Sequence, residues 1–353
     1  MRVAPISLYL AASVAVASCG LWIAPALSAP TVAHYEVVVS APDRDYTEAP
    51  VWVEVKAPAG AAWAHMPRET TADGPPAPCQ LVRYGDVAGV VFLVRDMRRG
   101  ETRRYSLDLY DKAQLKAPGE IEIKADGDAV AVTIDGELFT RYNFLDTPKP
   151  FYWPVIGPGG IEMTRDYPMK QVAGESSDHV HHRSLWFTHG SVNGVDFWGE
   201  GQESGRIVHR DFEAQISGPV VGVIRTRDDW IARDGKKVCE DEREVRVYRV
   251  ADGRLFDYQV VVHASEGPVK FGDTKEGTFG IRLADSMAVI RGKGHIVNSA
   301  GDKDRDTWGK RAEWVDYSGP VGDKVVGVTI FDHPESFRHP TYWHVRDYGL
   351  FAA

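Results

Sequence analysis

Seven of the chain's 12 histidines fall in two short windows. His179, His181, His182 and His189 make up the first, and His333, His339 and His344 the second. Imidazoles titrate near neutral pH and offer neutral nitrogen ligands, so a cluster of them suits proton transfer or a metal ion. Both windows read as loops. In Asp178-His179-Val180-His181-His182-Arg183 an extended backbone would point His179 and His181 to one face and His182 to the other. Three readings of that pattern stay open: a divalent metal on His179 and His181, metal-free acid–base chemistry or substrate hydrogen bonding, and structural histidines. The Glu that would complete a cupin-type metal site is missing, because Ser184, Leu185 and Trp186 fill its place.

Carboxylates stand close by at Asp178, Asp196, Glu200 and Glu203, and further along at Glu276, between Lys275 and Gly277 where a strand begins. Trp186, Phe187 and Trp198 share the first window's neighbourhood. Aromatic rings beside polar groups suit a sugar, whose apolar face stacks on Trp while its hydroxyls take directional bonds; the same rings equally suit a large core beneath a long loop. Phe151-Tyr152-Trp153-Pro154 with Gly157-Pro158-Gly159-Gly160 reads as a rigid aromatic turn lining the same cleft. Asp302, Asp304, Asp306 and Glu313 match the acidic positions of an EF-hand loop, but Thr307 stands where the turning Gly belongs. A salt-bridged surface loop is the better reading.

The elements that must position these groups are strands. Period-two segments at Tyr35–Val39, Val51–Val55, Gln80–Tyr84, Val90–Val94 and Tyr105–Leu109 predict a small immunoglobulin-like β-sandwich over 31–117. A second series starts at Ile121 and continues with long strands over 207–216, 220–231, 238–250 and 255–262. It predicts a larger antiparallel β-sandwich over 118–353, in an all-β protein.

The first 28 residues read as a secretory signal peptide: Arg2, an apolar stretch from Ile6 to Ala17, then small residues. Cleavage falls near Ala26-Leu27-Ser28, or before Cys19 in a lipobox-like Val16-Ala17-Ser18-Cys19 that would add a lipid anchor. The expected location is therefore periplasmic or extracellular. A formal charge of -9 supplies no basic field for nucleic acid. Whether Cys79 and Cys239 form a disulfide or stay as separate thiols is left open by their spacing.

The segments Asp178–Phe187, Val192–Trp198, Gly205–His209, Lys275–Gly277, Trp308–Ala312 and His339–Phe351 resemble the PmoA-like family of exported bacterial proteins. That resemblance implies a β-sandwich of carbohydrate catabolism, similar to galactose-mutarotase-like sandwiches in which a His acid and a Glu base flank a sugar. It also implies that the family pattern runs on past Ala353, so that a closing strand or cleft edge would be absent. The resulting expectation is an exported carbohydrate-active hydrolase, lyase or epimerase, with a non-catalytic sugar-binding protein as the rival. His179, His181 and Glu276 are the catalytic candidates. His182, Arg183, Trp186, Asp196, Trp198, His339 and His344 are the substrate-binding candidates, and a divalent metal is the one cofactor considered.

Overall fold

The computed structural model describes residues 11–15, 31–65, 78–85, 87–111, 119–291 and 293–353. The fold is all-β, with antiparallel sheets stacked as sandwiches. The N-terminal strands are β1 (Ala11–Ala15), β2 (Thr31–Ser40), β3 (Tyr46–Glu54), β4 (Trp63–His65), β5 (Cys79–Tyr84), β6 (Val87–Met97) and β7 (Thr102–Tyr110). They form one sheet ordered β1-β2-β7-β4 and a second ordered β3-β6-β5. Alternation drives this packing: Val37, Val39, Val51, Val53, Phe92, Leu107 and Leu109 point inward and are almost fully buried. Of the expected leader only Ala11–Ala15 are described, as a strand paired to β2. The two cleavage sites and Cys19 lie outside the described residues.

The rest of the chain builds three further sheets. The first draws on β8 (Ile121–Asp126), β9 (Ala129–Ile134), β10 (Glu137–Asn143), β11 (Phe151–Val155) and β12 (Leu185–His189). Next come β13 (Arg206–Ile216), β14 (Val221–Ile231), β15 (Lys237–Tyr248) and β16 (Leu255–His263), which form a four-stranded meander. Then follow β17 (Gly277–Arg282), β18 (His295–Asn298), β19 (Trp314–Val321), β20 (Lys324–Phe331), β21 (His344–Val345) and β22 (Leu350–Ala352). The large sheet runs β21-β22-β17-β12-β11-β10-β9-β8, and β18-β19-β20 make the smallest of the three. Tyr142, Tyr152, Leu185 and Ile281 of the large sheet meet Ile224, Val245 and Val247 of the meander and Val315 and Tyr317 of the small sheet in one core.

Two segments expected as loop or turn are strands. β11 and β12 bury both faces, four residues in five, so neither shows the polar alternation that marks a half-exposed strand. β22 pairs with β17 on one side and β21 on the other, and the Ala353 carbonyl accepts hydrogen bonds from the Phe279 amide (3.1 Å) and the Thr278 hydroxyl (2.9 Å).

The N-terminal sandwich docks on the meander. Val82 and Val91 pack against Val221, Val223 and Tyr248, and Arg246 lies 4.4 Å over the Trp52 ring. Gln80 crosses this interface: its Oε1 accepts from the Val220 and Val221 amides (3.0 and 2.9 Å), and its Nε2 donates to the Val221 carbonyl (2.9 Å). Cys79 belongs to the core of the first sandwich and Cys239 packs with Trp230 in the second. They are separate buried thiols, and no disulfide joins them. Burial and the nearby Asp241 carboxylate push the Cys239 thiol up to about 12.

Candidate active site

The first histidine window is a tight turn leading into β12. The His182 amide donates to the His179 carbonyl at 2.9 Å, and His179 sits at φ 47°. The turn overrides the expected extended geometry and gathers all three rings. His179 stacks on His182 at 4.7 Å between centroids, and His181 meets His182 edge-on at 4.6 Å. Fully buried Arg165 pins the turn, donating to the carbonyls of Asp178 (2.9 Å) and His179 (3.2 Å) and to the Asp178 carboxylate (2.5 Å). Arg282, from β17, adds a bond to Asp178 at 3.0 Å and reaches His182 Nδ1 at 3.4 Å.

These neighbours set the electrostatics. Burial would raise the Asp178 carboxyl, but Arg282, His179 and Arg165 hold it down at about 2. His182 is pulled far below the usual imidazole range by burial, with His181 and Arg282 adding to the effect. Burial and Lys149 take His181 down to about 4. At neutral pH His181 and His182 are therefore uncharged rings that can accept as well as donate hydrogen bonds.

The distal window reaches the same cluster through His344 alone. The His344 ring lies 6.3 Å from Trp198, and its Nδ1 is 3.8 Å from Glu276 Oε2, beyond hydrogen-bond length. His344 is 5% exposed, yet neither ring nitrogen has a partner, and the buried Trp198 indole N–H is likewise unpartnered. Tyr348 flanks the cluster, stacking on His179 at 5.1 Å with ring planes 8° apart. Burial, with Arg346 and Lys275 nearby, lowers His344 to about 4. Buried polar atoms are nearly always hydrogen-bonded, so this set of orphans marks where a ligand's polar groups would sit.

Several of the expected site residues have other partners. His339 bonds to Asp332 (2.8 Å) beside the end of β20, and its carbonyl accepts from Arg311; neither partner belongs to the imidazole cluster. Arg183 is not available to a substrate anion, because Glu200 takes its Nε and Nη2 in a two-pronged pair, both bonds 2.8 Å. Trp186 and Trp198 are 0% and 2% exposed, so they form an aromatic floor with Phe151 and Leu350 and present no face to a sugar. Asp196 caps the amides of Trp198 (2.8 Å) and Gly199 (3.1 Å), which shapes the loop under His181. Among the described residues no group of three or more His, Cys, Asp or Glu side chains is arranged to hold a metal ion, and His179 Nδ1 is already bonded to Asp178 at 2.7 Å. The EF-hand-like loop is salt-bridged, with Asp302 on Lys310 and Arg305 on Asp347.

Two residues that the sequence reading left without a role lie beneath the cluster. Lys149, 1% exposed, donates to the Trp198 carbonyl (2.8 Å) and pairs with Glu200 (3.1 Å). Burial draws its ammonium down to about 8 against the pull of Glu200. Burial would raise Glu200, but Arg183 and Lys149 hold it below the usual carboxylate range. Lys149 stands between two prolines in a polar loop, a context that signals a turn and nothing about a buried charge.

No curated protein matches the chain. The model of a family of unknown function, DUF6807, matches residues 129–353, which takes in the large sheet from β9 onward and every residue of the hollow. This match replaces the resemblance to the PmoA-like family, which it does not support. The chain belongs to the DUF6807 family.

Proposed function

We propose that the chain is a carbohydrate-active enzyme that moves protons on a hydroxylated substrate held between Glu276, His344 and His181. The observation that carries this reading is the His344 ring, buried with both nitrogens unpartnered and only 3.8 Å from a carboxylate that it does not bond. A substrate hydroxyl placed there could bond to both groups. Glu276 would take the proton from the carbon that bears this hydroxyl, the C–H electron pair passing to an adjacent carbonyl or carboxyl group as an enolate, and neutral His344 would orient the hydroxyl, donating from one nitrogen and accepting on the other. Lys275, 3.4 Å from Glu276, supplies positive charge for an oxyanion that develops as the proton leaves.

The lowered imidazoles favour one class within this reading. Hydrolysis of a glycoside needs a group that still carries a donatable proton near pH 7, whereas His181 and His344, at about 4, are already deprotonated. Epimerisation or elimination, which begin with proton abstraction, fit the site better. Export through the N-terminal leader, to the periplasm or beyond, belongs to the same proposal and is supported by Arg2 and the apolar stretch behind it.

The test is turnover on a panel of glycans, free sugars and oxidised sugars, comparing the wild type with Glu276→Gln, His344→Gln and a His181→Ala, Glu276→Ala double variant. Each variant's melting temperature is recorded alongside. A loss of at least about a hundredfold in turnover is expected for Glu276→Gln, in the usual range for removing an acid–base group. Equal turnover by wild type and the double variant would end the proposal, and ligand binding without turnover by any protein would favour a sugar-binding role instead.

A further inference from the structure

Arg346 stands apart from the other arginines of the chain. Among the described residues, every other partly or fully buried arginine has a carboxylate within salt-bridge distance. Among the described residues Arg346, half-buried, has no side-chain hydrogen bond and no ion pair. Two rings brace it: its guanidinium carbon lies 5.3 Å from the Trp308 ring centroid and 5.5 Å from that of Tyr348. Cation–π contact holds a guanidinium in place while leaving its N–H edge free, which is the edge that grips an anion.

Its position gives that free edge a purpose. Arg346 follows His344 by two residues where β21 ends, so an extended backbone sets both side chains on one face. Tyr348, which braces Arg346, also stacks on His179, so guanidinium and imidazoles share one wall. Trp308 is 48% exposed, unlike the two tryptophans of the floor, and keeps ring surface open to solvent beside Arg346.

Building on the sugar reading above, we propose that the hollow selects a carboxylate-bearing sugar. Arg346 grips the carboxylate through its two-pronged edge, and Trp308 carries the apolar face of the ring. A monoanion is the matched charge: one unpaired guanidinium faces the ligand, while Glu276, beside Tyr348, repels a phosphate dianion. In a chain of formal charge -9, a half-buried cation without a carboxylate partner is otherwise hard to account for.

The experiment is calorimetric titration of the full chain and of R346Q, R346K and W308A with glucuronate and galacturonate, with glucose and galactose, and with glucose 6-phosphate. A hexuronate should bind at least about tenfold more tightly than its matching hexose, the size expected for one charge-assisted pair. R346Q should erase that preference while leaving hexose binding unchanged. R346K should keep only part of it because an ammonium lacks the fork, and W308A, which removes both a stacking ring and one brace of Arg346, should weaken the acid more than the hexose. R346K and W308A keep the test decisive if R346Q fails to fold. Equal binding of hexoses and hexuronates, a preference for the phosphate, or a uronate preference untouched at Arg346 overturns this inference and leaves the sugar reading standing. Binding of none of the probes counts against both.

Discussion

His344 makes the hollow a source of acid lability. In the folded chain its imidazole titrates at about 4, and in the unfolded chain at the ordinary value of 6.5. As pH falls below 6.5 the unfolded chain takes up a proton that the folded ring refuses, so stability is complete above that pH and is lost towards about 4. At pH 5 the gap in proton affinity costs the folded state about 2 kcal/mol from this single ring, and at pH 7.5 almost nothing. His182, lowered in the same direction by burial, adds to the loss. The perturbation is His344→Gln, which keeps a hydrogen-bonding side chain and removes the titration. Urea unfolding of wild type and variant at pH 7.5 and pH 5 gives four free energies. Whatever the substitution costs at pH 7.5, the difference between the two proteins should move by about 2 kcal/mol in the variant's favour at pH 5. An unchanged difference would mean that the ring titrates normally and is open to water, and the argument for a buried, ligand-facing imidazole would go with it.

Three further outcomes follow from contacts outside the His344 ring. Glu200→Ala strands Lys149 and Arg183, so chemical denaturation should register a loss of about 3–5 kcal/mol, while Lys149→Met keeps the Glu200–Arg183 pair and should cost clearly less. Gln80→Leu leaves the Val220 and Val221 amides without acceptors where the N-terminal sandwich meets the meander. A loss of about 2–4 kcal/mol is expected for that change, and a neutral result in thermal melts would deny the bonds any role. Cys79 and Cys239 should both be alkylated after denaturation without reductant, and a peptide map containing a crosslink between them would contradict the placement of the two thiols in separate cores.

The strands of the N-terminal sandwich and of the meander were legible because water touches one of their faces. Val37 and Val39 alternate with Glu36 and Val38, and β15 alternates even where its inward positions are Asp241 and Arg243. β12 was not legible: Leu185-Trp186-Phe187-Thr188-His189 sits near the middle of an eight-stranded sheet, and the side chains on both of its faces are covered. The site divides the same way. Residue type and clustering were enough to bring His179, His181, His182, Glu276 and His344 into one candidate set. His339 was indistinguishable from His344 at that level, since its bond to Asp332 depends on how the loop after β20 folds. Arg183 and the two tryptophans have suitable chemistry, but Glu200 and the floor of the hollow had already engaged them, which only packing reveals. Lys149 and Arg346 carried no sequence signal. The first is defined by its burial and the second by its lack of a partner.

Proton abstraction from carbon by this hollow is the claim on which the mechanism rests, and deuterium exchange reads it directly. The wild type and Glu276→Gln are incubated in D2O with hexuronates and their matching hexoses, and proton NMR follows the ring C–H signals. One C–H signal of a hexuronate should fade with the wild type and persist with Glu276→Gln. Equal fading with both proteins, or turnover of a substrate with every C–H retained, would contradict that claim.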